Sequence, residues 1–340
     1  MKKLITVIAI GVATSLVILS PAKAQDYKSE YKVSTIVPAP FPWGIAAEKW
    51  VELVRERTEG RINMKVYPGA QLVAGDQAKE FTAMRQGIID MSVGSTINWS
   101  AQVPALNLFS LPFLLPDYEA IDVLTQGDVG AALFEEVASR GVVPLAWGEN
   151  GFRELTNSKR PVATPEDLEG LKIRVTGSPL FQETFTALGA NPTQMSWSDA
   201  VPALTTGAVD GQENPMPGYV IAKLHNLEQK YVTLWHYVAD PLIFAVSERV
   251  WNSWTEADQE IVAQAAIEAA ALNIELARQG VTEDDQSVIE TIEGYGVAVT
   301  RLTPENRQAF RDATRGVYED WAGRIGQDLV TKAETAIANR

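Results

Sequence analysis

The chain has 340 residues, no cysteine, two histidines and a formal net charge of −14. The missing cysteines exclude a disulfide scaffold, thiolate catalysis, iron–sulfur clusters and cysteine-ligated zinc, and two histidines leave little for a histidine-rich metal site. The negative charge excludes a general nucleic-acid binder, which needs a basic face, while 46% hydrophobic and 21% charged residues mark a globular chain long enough for about two domains.

The N-terminus reads as a secretory signal peptide, residues 1–24. Met1-Lys2-Lys3 precedes an apolar run from Leu4 to Leu19, and Ser20-Pro21-Ala22-Lys23-Ala24 carries an A-x-A site with cleavage expected after Ala24. The run is shorter than the roughly 20 residues that span a bilayer. Cleavage would remove Lys2, Lys3 and Lys23 and no acid, leaving 316 residues at −17. No later run approaches spanning length, so an exported, soluble protein is expected.

Downstream, strand and helix patterns alternate. Tyr31–Val37 is β-branched and meets Pro38. Trp43–Thr58 places Ala46, Ala47, Trp50, Val51 and Val54 on one helical stripe, with Gly60 as a stop. Ile62–Tyr67 alternates as a strand, Ala78–Gln86 is helical, and Asp90–Gly94 is a short strand. A helix over about 118–139 precedes the apolar strand Val142–Trp147. This rhythm predicts a mainly parallel sheet covered by helices.

The rhythm restarts after Gly151. Leu171–Val175 reads as a strand, Pro179–Leu188 and Ser198–Thr205 as helices, and Leu242–Val246 as a strand. Thr255 looks like the N-cap of a very long helix reaching toward Ile292. Val297–Leu302 is a further strand, and Thr303-Pro304-Glu305 opens the last helices. Without a flexible linker, two such α/β units are expected to be joined by several crossings.

Enzyme signatures are missing from the sequence: there is no G-x-S-x-G, P-loop, G-x-G-x-x-G or H-E-x-x-H. His225 and His236 have no nucleophile nearby, although His236, in Leu234-Trp235-His236-Tyr237, has an aromatic setting suited to a pocket wall. The informative stretch runs from Trp147 to Pro215. Lys172 and Arg174 share one face of a strand whose C-terminal end can border an interdomain crevice. A guanidinium there is either an exposed strand-end charge or a fork for a bidentate carboxylate. Arg153, after Gly151-Phe152, is a loop charge or a second cation. Asn214 is a turn residue before Pro215 or an amide for a ligand oxygen. Glu149 is a loop acid or an acceptor for a ligand hydroxyl or amine.

Several segments together resemble the solute-binding proteins of the tripartite ATP-independent periplasmic (TRAP) transporters, the C4-dicarboxylate-binding-protein-like family. They are Gly151-Phe152-Arg153, Gly170-Leu171-Lys172-Ile173-Arg174-Val175, Ala187-Leu188-Gly189-Ala190-Asn191-Pro192 and Gln212-Glu213-Asn214-Pro215. Thr58-Glu59-Gly60-Arg61-Ile62, Tyr67-Pro68-Gly69-Ala70-Gln71-Leu72 and Leu111-Pro112-Phe113-Leu114 extend the likeness over essentially the whole mature chain.

The resemblance implies a two-domain α/β periplasmic-binding-protein-like (clam-shell) fold with a long helix spanning both domains. The expected division is 25–150 plus 240–279 for domain I and 151–239 plus 280–340 for domain II. It implies no enzyme and no cofactor, but a monomer that captures a small organic acid carboxylate and delivers it to membrane permease subunits. The candidate ligands are a C4-dicarboxylate, a sugar acid or a related hydroxy or keto acid. Arg174 would grip the ligand carboxylate, Arg153 would be a second cation, Asn214 would complete the contacts and Trp197 would line the pocket; by rough position His236, Asp76 and Asn98 would face the ligand. Where the family has a small polar residue or histidine before its first helix, this chain has Val37-Pro38-Ala39-Pro40-Phe41-Pro42-Trp43. Phe41 or Trp43 would narrow the pocket or stack on the ligand, or only pack the helix entry. Arg153 beside Arg174 favours a doubly anionic or hydroxy-rich acid, and the nine tryptophans favour stacking on a ring or carbon chain. An exported enzyme acting on a small organic acid, or a ligand-presenting partner of a membrane sensor, are the alternatives.

Overall fold

The structure, a computed structural model, describes residues 27–340. The expected signal peptide and its cleavage point lie outside the described residues. The strands are β1 (Tyr31–Ser34), β2 (Met64–Tyr67), β3 (Met91–Ser95), β4 (Val142–Phe152), β5 (Glu154–Asn157), β6 (Lys172–Val175), β7 (Asn191–Gln194), β8 (Gly211–Asn214), β9 (Tyr231–Leu234), β10 (Ala239–Ser247) and β11 (Ala298–Arg301). They form a five-stranded sheet in the order β2-β1-β3-β10-β4 and a six-stranded sheet in the order β11-β9-β5-β8-β6-β7.

The sheets are mixed, not mainly parallel as the sequence rhythm suggests. In the first, β1 pairs in parallel with β2 and β3, but β10 runs antiparallel to both β3 and β4. The cause is the crossing. The chain leaves the first sheet at the end of β4 and returns at the start of β10, where Phe152 pairs with Ala239, so the outgoing and returning strands must run in opposite directions. The second sheet combines parallel β6–β7, β6–β8 and β9–β11 pairs with antiparallel β5–β8 and β5–β9 pairs.

The helices Pro42–Arg57 and Glu256–Arg278 pack together against the first sheet. Trp50 is the main anchor of that layer. Its ring meets Phe244 edge-on at 5.5 Å, and its indole N–H donates to the Val262 carbonyl at 3.1 Å. Thr255 caps the long helix, its hydroxyl accepting the Asp258 N–H at 3.2 Å.

That helix ends at Arg278, not near Ile292. Gly280 turns with φ +76°, and a Cβ there would meet Val288 Cγ2 at 2.6 Å. Its N–H donates to Asp285 Oδ2 at 2.8 Å, which closes a loop before a separate helix, Ser287–Gly294. The helix region expected over 118–139 likewise splits at Gly127 into Tyr118–Gln126 and Asp128–Ala138. The C-terminal helix Gln327–Ala338 packs on these two, while Pro304–Ile325 packs on Pro179–Ala187 beside the second sheet. The chain end therefore straps both halves. Among the described residues no helix is long and apolar enough to cross a membrane.

Candidate functional site

A cleft forms where the chain passes between the sheets. Arg153 is the one residue between β4 and β5, and Trp235–Val238 carry the chain back from β9 to β10. The Arg153 N–H donates to the Val238 carbonyl at 3.1 Å, tying the two crossings together. In front of them lies a small cavity of about 50 Å³.

The first half contributes Ile36, Val37, Phe41, Trp43, Gln77, Ser95, Asn98, Asn150 and Asp240 to its wall. The second contributes Arg174, Thr176, Trp197, Asn214, Pro215 and Gly218, with Arg153 at the crossing. The C-terminal ends of β6 and β8 thus deliver Arg174 and Asn214 to the crevice, the usual ligand position in open α/β sheets.

The two arginines differ in kind. Arg153 is buried against two acids. Its Nε donates to Glu213 Oε2, its Nη2 to Glu213 Oε1 at 2.9 Å and to the Glu213 carbonyl at 2.7 Å, and its Nη1 to Asp240 Oδ2 at 3.1 Å. Burial alone would lower its pKa, but Glu213 and Asp240 outweigh burial and hold it above the ordinary value. Tyr237 adds a hydroxyl to Glu213 Oε2 at 2.8 Å. Arg153 is consequently not a second unpaired cation.

Arg174 is 1% exposed and pairs with no carboxylate among the described residues. Its Nε and Nη2 donate to the Met195 carbonyl at 3.0 and 2.8 Å, and its guanidinium lies 5.9 Å from the Trp197 ring centroid. Burial pushes its pKa down to about 10, with Glu213 opposing and Arg153 adding to the fall. A buried guanidinium held only by one carbonyl and an aromatic face is a site short of an anion.

The remaining wall is set by local bonds. Trp43 donates its indole N–H to the Val93 carbonyl at 2.8 Å, which fixes it as cavity wall. The loop before it is pressed onto the helix, since a Cβ on Gly44 would meet the Pro38 carbonyl carbon at 2.1 Å. Gln77 bridges the halves: its Nε2 donates to Asn98 Oδ1 at 2.8 Å and its Oε1 accepts the Trp197 N–H at 3.1 Å. The Asn214 amide donates to Gln212 Oε1.

Of the residues expected from sequence, Arg174, Arg153, Asn214, Trp197, Asn98, Phe41 and Trp43 line this cavity, and Glu149, His236 and Asp76 do not. Glu149 points the other way along β4. It pairs with Arg278 of the long helix at 2.6 Å, and its pKa is raised by burial against the pull of that arginine. His236 lines a separate cavity of about 40 Å³ with Tyr118, Glu154 and Ala277, its Nδ1 3.3 Å from Glu154 Oε1. Asp76 caps the turn before Gln77, accepting the Ala78 N–H at 3.3 Å, and pairs with Lys79. Gln77, Ser95, Asn150, Thr176 and Asp240 were not anticipated. For Gln77 and Asn150 the signal was one residue away. No metal-holding group of three or more His, Asp or Glu side chains occurs among the described residues.

The sequence profile of the DctP family, bacterial extracellular solute-binding protein family 7, matches residues 33–324. The chain belongs to this family. It is 34% identical over 276 residues to the 2,3-diketo-L-gulonate-binding periplasmic protein YiaO of Escherichia coli, covering 81% of each chain. It is 30% identical to the C4-dicarboxylate-binding periplasmic protein DctP of Rhodobacter capsulatus, covering 96% of each. Among solved structures, a TRAP periplasmic solute-binding protein of Ralstonia eutropha with bound (S)-2-hydroxy-2-methyl-3-oxobutanoate, (S)-2-acetolactate, is 61% identical. It superposes with a TM-score of 0.92 over 92% of this chain and all of that one. A Sulfurospirillum deleyianum relative with bound succinate is 29% identical, with a TM-score of 0.83 over 90% and 98% of the two chains. The two-domain α/β periplasmic-binding fold expected from the resemblance is thereby the fold of a family 7 solute-binding protein.

Proposed function

We propose that this family 7 protein captures a short, branched hydroxy or oxo monocarboxylate, of the chemical class of 2-acetolactate, between its two halves. The single observation that carries the reading is the buried Arg174, the cavity cation without an acid partner. One such cation matches one carboxylate. The wall formed by Ile36, Val37, Phe41, Trp43, Trp197 and Pro215 favours methyl groups over the hydroxyl-rich face of a sugar acid. The small volume favours few carbons. The 61% identical relative, which holds (S)-2-acetolactate, supports the same choice.

In this reading Arg174 anchors the carboxylate, with Trp197 against its guanidinium, and Asn98, Asn150 and Asn214 supply amides to the other oxygens. Phe41 and Trp43 pack on the carbon skeleton. The halves close on the ligand by hinge motion at Arg153 and Trp235–Val238, because only the closed form contacts the ligand from both sides. The protein returns its ligand unaltered, acts in the periplasm after loss of its signal peptide, and hands the acid to TRAP permease subunits.

The reading is tested by calorimetry with (S)-2-acetolactate, succinate and galacturonate. The first is expected to bind most tightly. Arg174→Ala should weaken it by several kcal/mol, on the order of what removing one partner of a desolvated charge pair costs. Unchanged affinity in the variant, or a preference for galacturonate or succinate, overturns the reading.

A further inference from the structure

The wall that the first half presents to the cavity is built around a carboxylate. Asp240, at the start of β10, is 2% exposed and lines the cavity from the first half, whereas Arg174 enters from β6 of the second. Its Oδ1 accepts the Ser95 hydroxyl at 2.5 Å, and its Oδ2 accepts the Asn150 amide at 2.8 Å and Arg153 Nη1 at 3.1 Å. A carboxylate offers about four acceptor positions. Three are taken, and the open one lies on Oδ1, beside a Ser95 oxygen whose hydrogen is already donated. The donors left beside it are the neutral amides of Asn150 and Asn98 and one Nη1 hydrogen of Arg153, while Asp240 keeps acceptor capacity. There is no spare positive charge here, because Glu213 and Asp240 already match that of Arg153.

We propose that Asp240 is the specificity-determining residue of the site, accepting the ligand's hydroxyl and repelling any second carboxylate. The proposal rests on the reading that Arg174 holds a monocarboxylate. A ligand anchored there and filling so small a cavity brings its far end to Ser95, Asp240 and Asn150. A hydroxyl hydrogen completes Oδ1. A second carboxylate would stand against an existing one without a counter-charge, which selects by repulsion as much as by attraction. The chain would thus discriminate against dicarboxylates although it shares the family fold with proteins that bind them.

The test uses a matched, chemically stable ligand set in calorimetry: 2-hydroxy-2-methylbutanoate, its deoxy analogue 2-methylbutanoate, and the dianion 2-hydroxy-2-methylbutanedioate. Wild type is expected to prefer the hydroxy monoanion over each of the others by at least about tenfold. Asp240→Asn should shrink the preference over the dianion by about tenfold or more, whereas Asp240→Glu, which keeps the charge, should retain it. A structural role alone would weaken all three ligands in parallel in both variants. The proposal is overturned if wild type binds monoanion and dianion within about threefold of each other, a result that needs no folded variant. It is also overturned if folded Asp240→Asn keeps the wild-type ratio. If wild type binds none of the set but binds galacturonate, the monocarboxylate reading fails first and the Asp240 proposal with it.

Discussion

At the residue scale, what matters is which charges the fold leaves without partners. Among the described residues, Arg174 is one such group and Glu80 is another. Glu80 opens the helix Glu80–Gln86 and is fully buried, with Ser34 Oγ donating to its Oε1 and no partner on Oε2. Burial pushes its pKa up to about 8, with the Ser34 hydrogen bond pulling the other way. Between the unfolded value near 4.5 and 8, the folded state holds a proton that the unfolded chain releases. Stability therefore falls as pH rises through that window and is not affected by this group below it. Glu80→Gln keeps the shape and removes the titration. Thermal unfolding should show the variant gaining on wild type between pH 5 and pH 8, by on the order of a few kcal/mol; parallel curves over that range would refute this. Neither residue was equally visible in the sequence. Arg174 was legible because strand alternation and a recognisable segment both pointed to it. Glu80 was not, since an acid at a helix start looks like an ordinary dipole partner until its burial is known. Asp76 and Glu149 show a finer limit: the cavity takes the next residue in each case, Gln77 and Asn150. Adjacent residues on β4 face opposite ways, so an assignment off by one lands on the wrong side, while Asp76 is spent on capping the short turn that Gln77 begins.

At the element scale, the end of the long helix is held by charge. Arg278, in its last turn, donates to Asp122 at 2.6 and 2.9 Å and to Glu149 at 2.6, 3.1 and 3.2 Å, and stands 4.9 Å from the Tyr118 ring centroid. The helix is thereby fastened to β4 and to Tyr118–Gln126 close to the crossing that hinge closure would use. Removing one partner of such a pair strands the buried Glu149, which typically costs about 3–5 kcal/mol. Arg278→Ala should lower the urea midpoint accordingly. Because the raised pKa of Glu149 would then lack its counterweight, the deficit should grow from pH 5 to pH 8. A loss that is independent of pH would show that Arg278 acts through packing alone. Most helices were legible from apolar periodicity and caps, as with Thr255. The break at Gly280 was hidden because Val281–Ser287 contains no proline and is largely polar, so it reads as a continued helix face. The short strands β5, β7, β8 and β9 were missed for a related reason. β5, β7 and β8 read Glu154-Leu155-Thr156-Asn157, Asn191-Pro192-Thr193-Gln194 and Gly211-Gln212-Glu213-Asn214, mostly polar and turn-forming residues without apolar alternation, and β9 is an isolated run of four.

At the scale of the whole molecule, the chain carries −14, yet its proposed ligand is an anion. A diffuse negative field opposes the approach of an acid beyond about a Debye length, some 10 Å at 0.1 M salt. Within that distance the balance is local. Glu213 and Asp240 hold the charge of Arg153, and among the described residues lining the cavity Arg174 is the cation that pairs with no carboxylate. Capture is therefore short-ranged and gated by entry, while the field outside acts on the encounter step alone. This predicts an unusual salt dependence. Cavities that steer their ligands by opposite charge lose association rate as salt rises. Here screening removes a repulsion, so the association rate of a monocarboxylate should rise, by about twofold, between 10 and 150 mM salt. The dissociation rate, set by the buried contact to Arg174, should change little. Trp43 and Trp197 in the cavity wall provide the stopped-flow fluorescence signal, and an uncharged amide analogue of the ligand is the control. An association rate that falls with salt would mean that a positive field reaches beyond the cleft, and that the surface charge is arranged around the entrance and not spread over the molecule.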